Sequence, residues 1–275
     1  MRLKIKHLSF LSWLIGGLTP CFGQEAGGLG VGPNFSPIHE TRVQSYTLSP
    51  EPTQDRLFAG TRFWRLDPGR YEVESWWSME YPRDRSRPSH LYQVEIEIGL
   101  TPHIQIDIYE NMHWVPGQGV SHEGNQIEMR YSIANTYGAI WGNPTLYLEW
   151  HPRHNAPDRA EGRLLIGGQP LPHLFAAANA YYEQNVETGT PSGADGETGL
   201  QAAASYGIRN DTLRFGAELK AGIDQHGENS FKAVTLVGPH LLVKFGRFKL
   251  TATAFFGLQP GDPRLMPFVI AGYGF

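Results

Sequence analysis

The chain predicts an all-β fold, an antiparallel up-and-down transmembrane β-barrel of about twelve strands, and three observations carry that expectation. Segment after segment alternates strictly between apolar and polar residues. The connections between them sort into short turns and long loops, and the two ends read as an export signal and an aromatic final strand. Residues 212–224 show the alternation best: Leu213, Phe215, Ala217, Leu219, Ala221 and Ile223 are apolar, with Arg214, Glu218, Lys220 and Asp224 between them. Successive side chains of a strand leave opposite faces, so this stretch has one greasy face and one wet one. At helical spacing the same charges would scatter around the whole cylinder.

Composition agrees with a barrel. Mean hydropathy is negative and no run reaches the roughly 20 apolar residues of a spanning helix, whereas barrel strands hide half their residues in a polar lumen. Residues 1–23 read as a signal peptide: Arg2, Lys4 and Lys6 precede the apolar run from Leu8 to Leu18, with cleavage expected before Gln24. Cys21 is the sole cysteine, so the mature chain is expected to hold no disulfide. Cleavage removes three of 23 Lys and Arg and no acid, leaving 20 against 27 Asp and Glu, a net charge of −7. That balance gives no reason to expect a nucleic-acid partner.

Residues 24–69 are rich in Gly, Pro, Ser and Thr and lack a sustained period. They are expected to form a poorly ordered periplasmic segment; the alternative is a plug, in which Phe58, Phe63, Trp64 and Leu66 fold back into the barrel. The barrel itself is expected over 70–275. Tyr71, Val73, Ser75, Trp77 and Met79 oppose Arg70, Glu72, Glu74 and Trp76 in the first strand, and Tyr92 to Leu100 opposes Gln93, Glu95 and Glu97 in the second. A turn at 99–102 leads to Ile104, Ile106 and Ile108 against Gln105, Asp107 and Tyr109. Loops are expected at 81–90, 115–125, 151–161, 186–198, 225–230 and 259–264, alternating with turns at 137–144, 167–170, 207–211 and 246–247. Between them run Ile127 to Ile133, Leu146 to Trp150, Leu164 to Ile166, Leu174 to Tyr182, Leu200 to Tyr206, the 212–224 stretch, 231–244, Phe248 to Phe256 and Leu265 to Phe275. Trp77, Trp114, Trp150, Tyr131, Tyr182, Tyr206 and Tyr273 fall near strand ends, where an interfacial girdle sits.

The last strand, with Tyr273 and the terminal Phe275, resembles the C-terminal signal of bacterial outer-membrane proteins. That resemblance implies recognition by the barrel-assembly machinery, contact with outer-membrane lipid and a place in the bacterial outer membrane. More narrowly, residues 94–106 (VEIEIGLTPHIQI) and 141–148 (WGNPTLYL) resemble the outer-membrane transporters grouped with meta-pathway phenol degradation proteins. That group has a Gly-Asp pair before a following strand; here Asn143 replaces the Asp and Pro144 follows it. The narrower match implies passage or binding of small molecules.

The expected lumen is charged asymmetrically. Glu72, Glu74, Glu95, Glu97, Asp107, Glu128 and Glu149 form an acidic wall from the first five strands. Arg130, Arg214, Lys220, Lys244 and Lys249 are the basic residues expected in the lumen, all but Arg130 on the far wall. Either the walls pair and fill the lumen, or they line a narrow pore whose transverse field orients polar, charged or aromatic solutes. The corresponding functions are a small-solute channel or transporter and a non-conducting structural or surface-binding barrel. His113, His122, His151, His154 and His226 fall near the expected outer loops, where solvation competes with divalent-metal binding; no metal or cofactor is assigned. Ser75 has no visible partner, and neither a Gly-x-Ser-x-Gly elbow nor a His-Glu-x-x-His motif occurs, so no enzyme is expected.

Overall fold

Each alternating stretch forms a strand in the computed structural model, which describes residues 47–275 apart from Arg85, 154–155, 187–195, 209–210 and 227–229. The expected signal peptide, residues 24–46 and His154 lie outside the described residues. The strands are β1 (Tyr71–Glu80), β2 (Ser89–Gly99), β3 (Ile104–Val115), β4 (Gly119–Ser132), β5 (Thr145–His151), β6 (Asp158–Leu171), β7 (Leu174–Val186), β8 (Gly196–Ile208), β9 (Leu213–His226), β10 (Ser230–Phe245), β11 (Phe248–Gly257) and β12 (Met266–Gly274). Every strand pairs antiparallel with its chain neighbours, and β12 pairs with β1 to close the barrel. Closure leaves no unpaired edge, the condition for a sheet to lie in hydrocarbon. The Phe275 amide donates to the Tyr71 carbonyl at 2.9 Å, so chain end and barrel start meet at one mouth.

Alternation sets the faces as the sequence requires. Val94, Ile96, Ile127, Leu148, Leu200 and Phe215 are exposed on the outside, while Gln93, Glu95, Glu128, Tyr147, Gln201 and Arg214 between them are buried inside. Tyr273 and Phe275 also point outward, their rings edge to face with centroids 5.0 Å apart.

The connections depart from the expected strict alternation of lengths. The link between β3 and β4 is only 116–118, because Met112 to Val115 and Gly119 to His122 go on pairing across the expected loop. Gly117, at φ +82°, makes that turn. A bulge below it shifts the register between Asn111 and Met112. At the other mouth, the β4–β5 connection spans 133–144, longer than any turn expected there. The expected turn at 167–170 is part of β6; the chain reverses at 172–173, with His173 at φ +62°.

Residues 49–67 run inside the barrel. A 3-10 turn, Glu51–Gln54, lies near their start, and Leu57, Phe58, Ala59, Phe63, Trp64 and Leu66 are buried. The segment makes no ladder of its own. Several of its backbone groups are satisfied by barrel side chains, Leu66 N–H by Gln105 and the Arg62 N–H and carbonyl by Asn179 at 2.8 and 2.9 Å, and others by its own Gln54, Arg56 and Asp67. Such side-chain partners keep buried amides from costing their full desolvation penalty.

Candidate functional site in the barrel lumen

The inserted segment has two faces, and each meets a different wall. Leu57, Phe58, Phe63 and Trp64 pack with Phe175 and Ala177 of β7 and Ala203 of β8. Phe63 stands edge-on to Phe175 with centroids 5.6 Å apart, and Phe58 lies 5.4 Å from the ring of His240. The small residues of β7 and β8 make the room; a Cβ on Gly167 of β6 would meet the Phe63 ring at 2.6 Å. Next to this face, both oxygens of Glu218 accept backbone N–H groups, from Ala59, Gly60 and Thr61 at 2.8, 2.9 and 2.8 Å. Thr253 also donates to Glu218, and His240 lies 3.5 Å away.

The other face carries Arg56 and Arg62. Arg62 reaches Glu128 at 2.9 Å, Glu95 at 3.6 Å and Glu97 at 3.8 Å, and bonds the Tyr109 hydroxyl. Arg56 lies 3.7 Å from Glu74 and 3.8 Å from Glu97. Arg130 of β4 adds contacts to Glu128, Asp107 and Glu97 at 2.6, 3.0 and 3.2 Å. Arg65 is wholly buried near the mouth that holds the chain end, bonding Ser132, the Asn135 carbonyl and Asp67. Gly99 permits this anchorage, because a Cβ there would strike the Asp67 carbonyl. Just outside, a hydrogen bond from Arg70 holds the Glu51 carboxyl below its usual range. Beyond the strands, burial lifts the Tyr137 hydroxyl to about 12.

The basic residues expected to oppose the acidic wall go elsewhere. Lys249 alone of the far wall reaches it, at 2.5 Å from Glu72 and 3.8 Å from Glu74, because closure brings β11 within two strands of β1. Lys244 pairs with Asp55 of the inserted segment at 2.6 Å and Lys220 with Glu197 at 2.8 Å. Arg214 is buried against Asp211 and the carbonyls of His173 and Ser205. The cations that answer the acidic wall from across the lumen are therefore arginines of the segment. Sequence reading missed Arg56 and Arg62, because a segment with no periodicity gives no face to assign.

Register extends the acidic wall into a spiral. Glu72 lies directly opposite Glu97, Glu97 opposite Asp107, and Asp107 opposite Glu128. Glu128 then faces Glu149, Glu149 faces Glu161, and Glu161 faces Glu183. Glu197 and Asp224 complete the row. Each strand from β1 to β9 supplies one carboxylate, and the row climbs from the mouth at Glu72 toward the opposite mouth at Asp224. Like charges directly opposed across strands are destabilising, and cations relieve most of them: Arg163 at Glu161, Arg159 at Glu183, Lys220 at Glu197. Glu149 instead takes neutral donors, Gln126 and Tyr147.

Two cavities flank the segment. One of about 260 Å³ opens above residues 59–62 and is lined by Trp76, Tyr147, Glu149, Glu161, Arg163 and Lys220. The other, about 360 Å³, lies toward the chain-end mouth beside Glu51, Asp55, Glu72, Lys244 and Lys249. Around residues 53–57 and 61–66, against Glu97 and Arg130, only about 20 Å³ remains, close to the space of one water.

Oxygens of Glu72, Glu74 and Glu97, and of Glu95, Glu97 and Asp107, lie within 4.8 Å of one another. Such donor sets suit a hard cation, but guanidinium and ammonium groups already share this space. The histidines are arranged differently from the expected solvated loops. His113 and His122 belong to β3 and β4, 3.8 Å from Glu123 and 2.5 Å from Glu110. His151 ends β5, buried and facing inward toward Asn111. His226 is the last residue of β9.

No protein-family model and no curated protein matches the chain. Solved structures do. An outer-membrane channel from Pseudomonas putida F1 superposes with a TM-score of 0.55 at 10% identity, over 83% of this chain and 100% of that one. The NanC porin superposes with a TM-score of 0.53 at 11% identity, over 74% of this chain and 98% of that one. The chain thus has the closed β-barrel fold of bacterial outer-membrane proteins.

Proposed function

We propose that this chain is a bacterial outer-membrane channel for small polar, charged or aromatic solutes, held closed by its own residues 47–69 acting as a plug. The observation that carries this reading is the division of one charged lumen into two cavities, about 260 and 360 Å³, by a segment that borrows its hydrogen bonds from the barrel. A filler built for stability alone would gain more from apolar contact than from buried ion pairs. In this reading the apolar outer face meets lipid, and Tyr273 and Phe275 engage the assembly machinery. The fold shared with an outer-membrane channel and a porin supports it.

A non-conducting binding barrel is the second reading, favoured by the dense ion pairing of Arg56, Arg62 and Arg130. Planar-bilayer recording separates the two. The intact barrel is expected to be mostly closed, and a barrel lacking residues 24–69 to conduct in steady steps whose ion selectivity changes in Lys220→Glu. Correctly folded, electrically silent barrels of both kinds would sink the channel reading.

A further inference from the structure

The surroundings of Arg62 are aromatic and acidic. Its guanidinium lies 5.0 Å from the centroid of Trp76, 5.9 Å from Tyr147 and 6.0 Å from Tyr109, the range of cation–π attraction. Carboxylates of Glu95 and Glu128 complete the enclosure. These side chains belong to the barrel, while Arg62 comes from the inserted segment, as does Arg56, whose guanidinium covers the Trp76 ring at 4.2 Å. Glu95 is fully buried, yet neither of its oxygens accepts a hydrogen bond; its cationic neighbour is Arg62, at 3.6 Å. The site therefore offers more acceptor capacity than its present occupant uses. It also borders the 260 Å³ cavity, whose lining includes Arg62, Trp76, Tyr109 and Tyr147, and along whose wall the acidic row continues through Glu149.

We propose, resting on the plugged-channel reading above, that this aromatic and carboxylate enclosure binds small organic cations bearing a guanidinium or primary ammonium group, and that Arg62 is a tethered stand-in for them. An entering cation exchanges with the Arg62 side chain at Glu95 and Glu128 and weakens the hold of the segment. An anion placed between Glu95 and Glu128 would be repelled by both carboxylates. The spiral of acidic residues extends the same preference from this site toward the mouth at Asp224.

Titration calorimetry on the detergent-folded full chain tests the site without requiring conduction. Arg62→Ala is expected to bind methylguanidinium at least about tenfold more tightly than the unaltered barrel, with Arg62→Lys behaving like the unaltered barrel and Arg62→Ala/Glu128→Gln losing the gain. A folded Arg62→Ala barrel with no gain, or one that binds methanesulfonate equally well, overturns the proposal. Should Arg62→Ala fail to fold, the unaltered barrel decides: methylguanidinium should speed proteolysis within residues 56–65 relative to sodium at equal ionic strength, and equal rates overturn the proposal. Tight cation binding by barrels that never conduct would uphold the site and remove only the channel reading.

Discussion

On the β1–β5 side of the lumen the inserted segment meets Glu74, Glu95, Glu97 and Glu128 through Arg56 and Arg62, whereas on the β7–β10 side it lays Leu57, Phe58 and Phe63 against Phe175, Ala177, Ala203 and His240. The first wall selects by charge and depends on salt and competing cations only as far as they penetrate. The second selects by shape, since close packing penalises a gap or an added methyl alike. Glu218 stands at the border of the two, and what it holds of the segment is backbone rather than side chain. The charged wall thus has a replaceable occupant, and the apolar wall fixes where that occupant sits.

Substitutions at the border and on each wall sharpen this division. The largest effect is expected from Glu218→Ala, which leaves the Ala59, Gly60 and Thr61 amides without their acceptor, at about 1–3 kcal/mol each if they stay dry. The segment should then leave the lumen, seen as protease cleavage between residues 56 and 65 and as raised conductance. Unchanged protection would show that the apolar wall alone suffices. Asn179→Ala removes both partners of the Arg62 backbone. It should cost about 1–3 kcal/mol per orphaned group, read as faster hydrogen exchange at Arg62 with the barrel amides unaffected.

Gly167→Ala tests shape alone, since the new methyl meets the Phe63 ring and no charge changes. Overpacking of about 1–3 kcal/mol is expected, and trimming Phe63 to Leu in the same chain should restore protection. The smallest effect belongs to the Glu51–Arg70 pair at the chain-end mouth, 2.6 Å apart but half in solvent. Its carboxyl is held below the usual value by Arg70. The contribution is therefore present at neutral pH and lost as pH falls through the depressed value. Exposed pairs contribute about 0–1 kcal/mol, so Glu51→Gln should slightly speed segment release at pH 7, and the difference should vanish in acid below the usual carboxylate range.

Much of the fold was legible in local pattern. Leu213 to Ile223 on β9, Val94 to Ile98 on β2 and Phe248 to Phe256 on β11 fall on the outer face that period-two alternation assigns them. Loop lengths were less legible. Polar residues such as Ser121 and His122 continue a strand above the apolar band, and only pairing with β3 shows it. Of the acidic row, the part through Glu149 could be read as facing inward. That Glu161, Glu183, Glu197 and Asp224 prolong it depends on which residue lies opposite which, and strand register is set by turns and bulges across the whole sheet.

By itself, then, the sequence determined that a closed sheet forms and which side of each strand meets which medium, because both follow from the two-residue period of the backbone. Only the tertiary structure decided what fills the lumen and where its charges are answered. Arg56 and Arg62 lie in a stretch with no period, and their position rests on acceptors from distant strands, Glu218, Asn179 and Glu128. Contacts of that range leave no trace in local pattern, since each partner is an ordinary inward polar residue until the barrel closes around the segment.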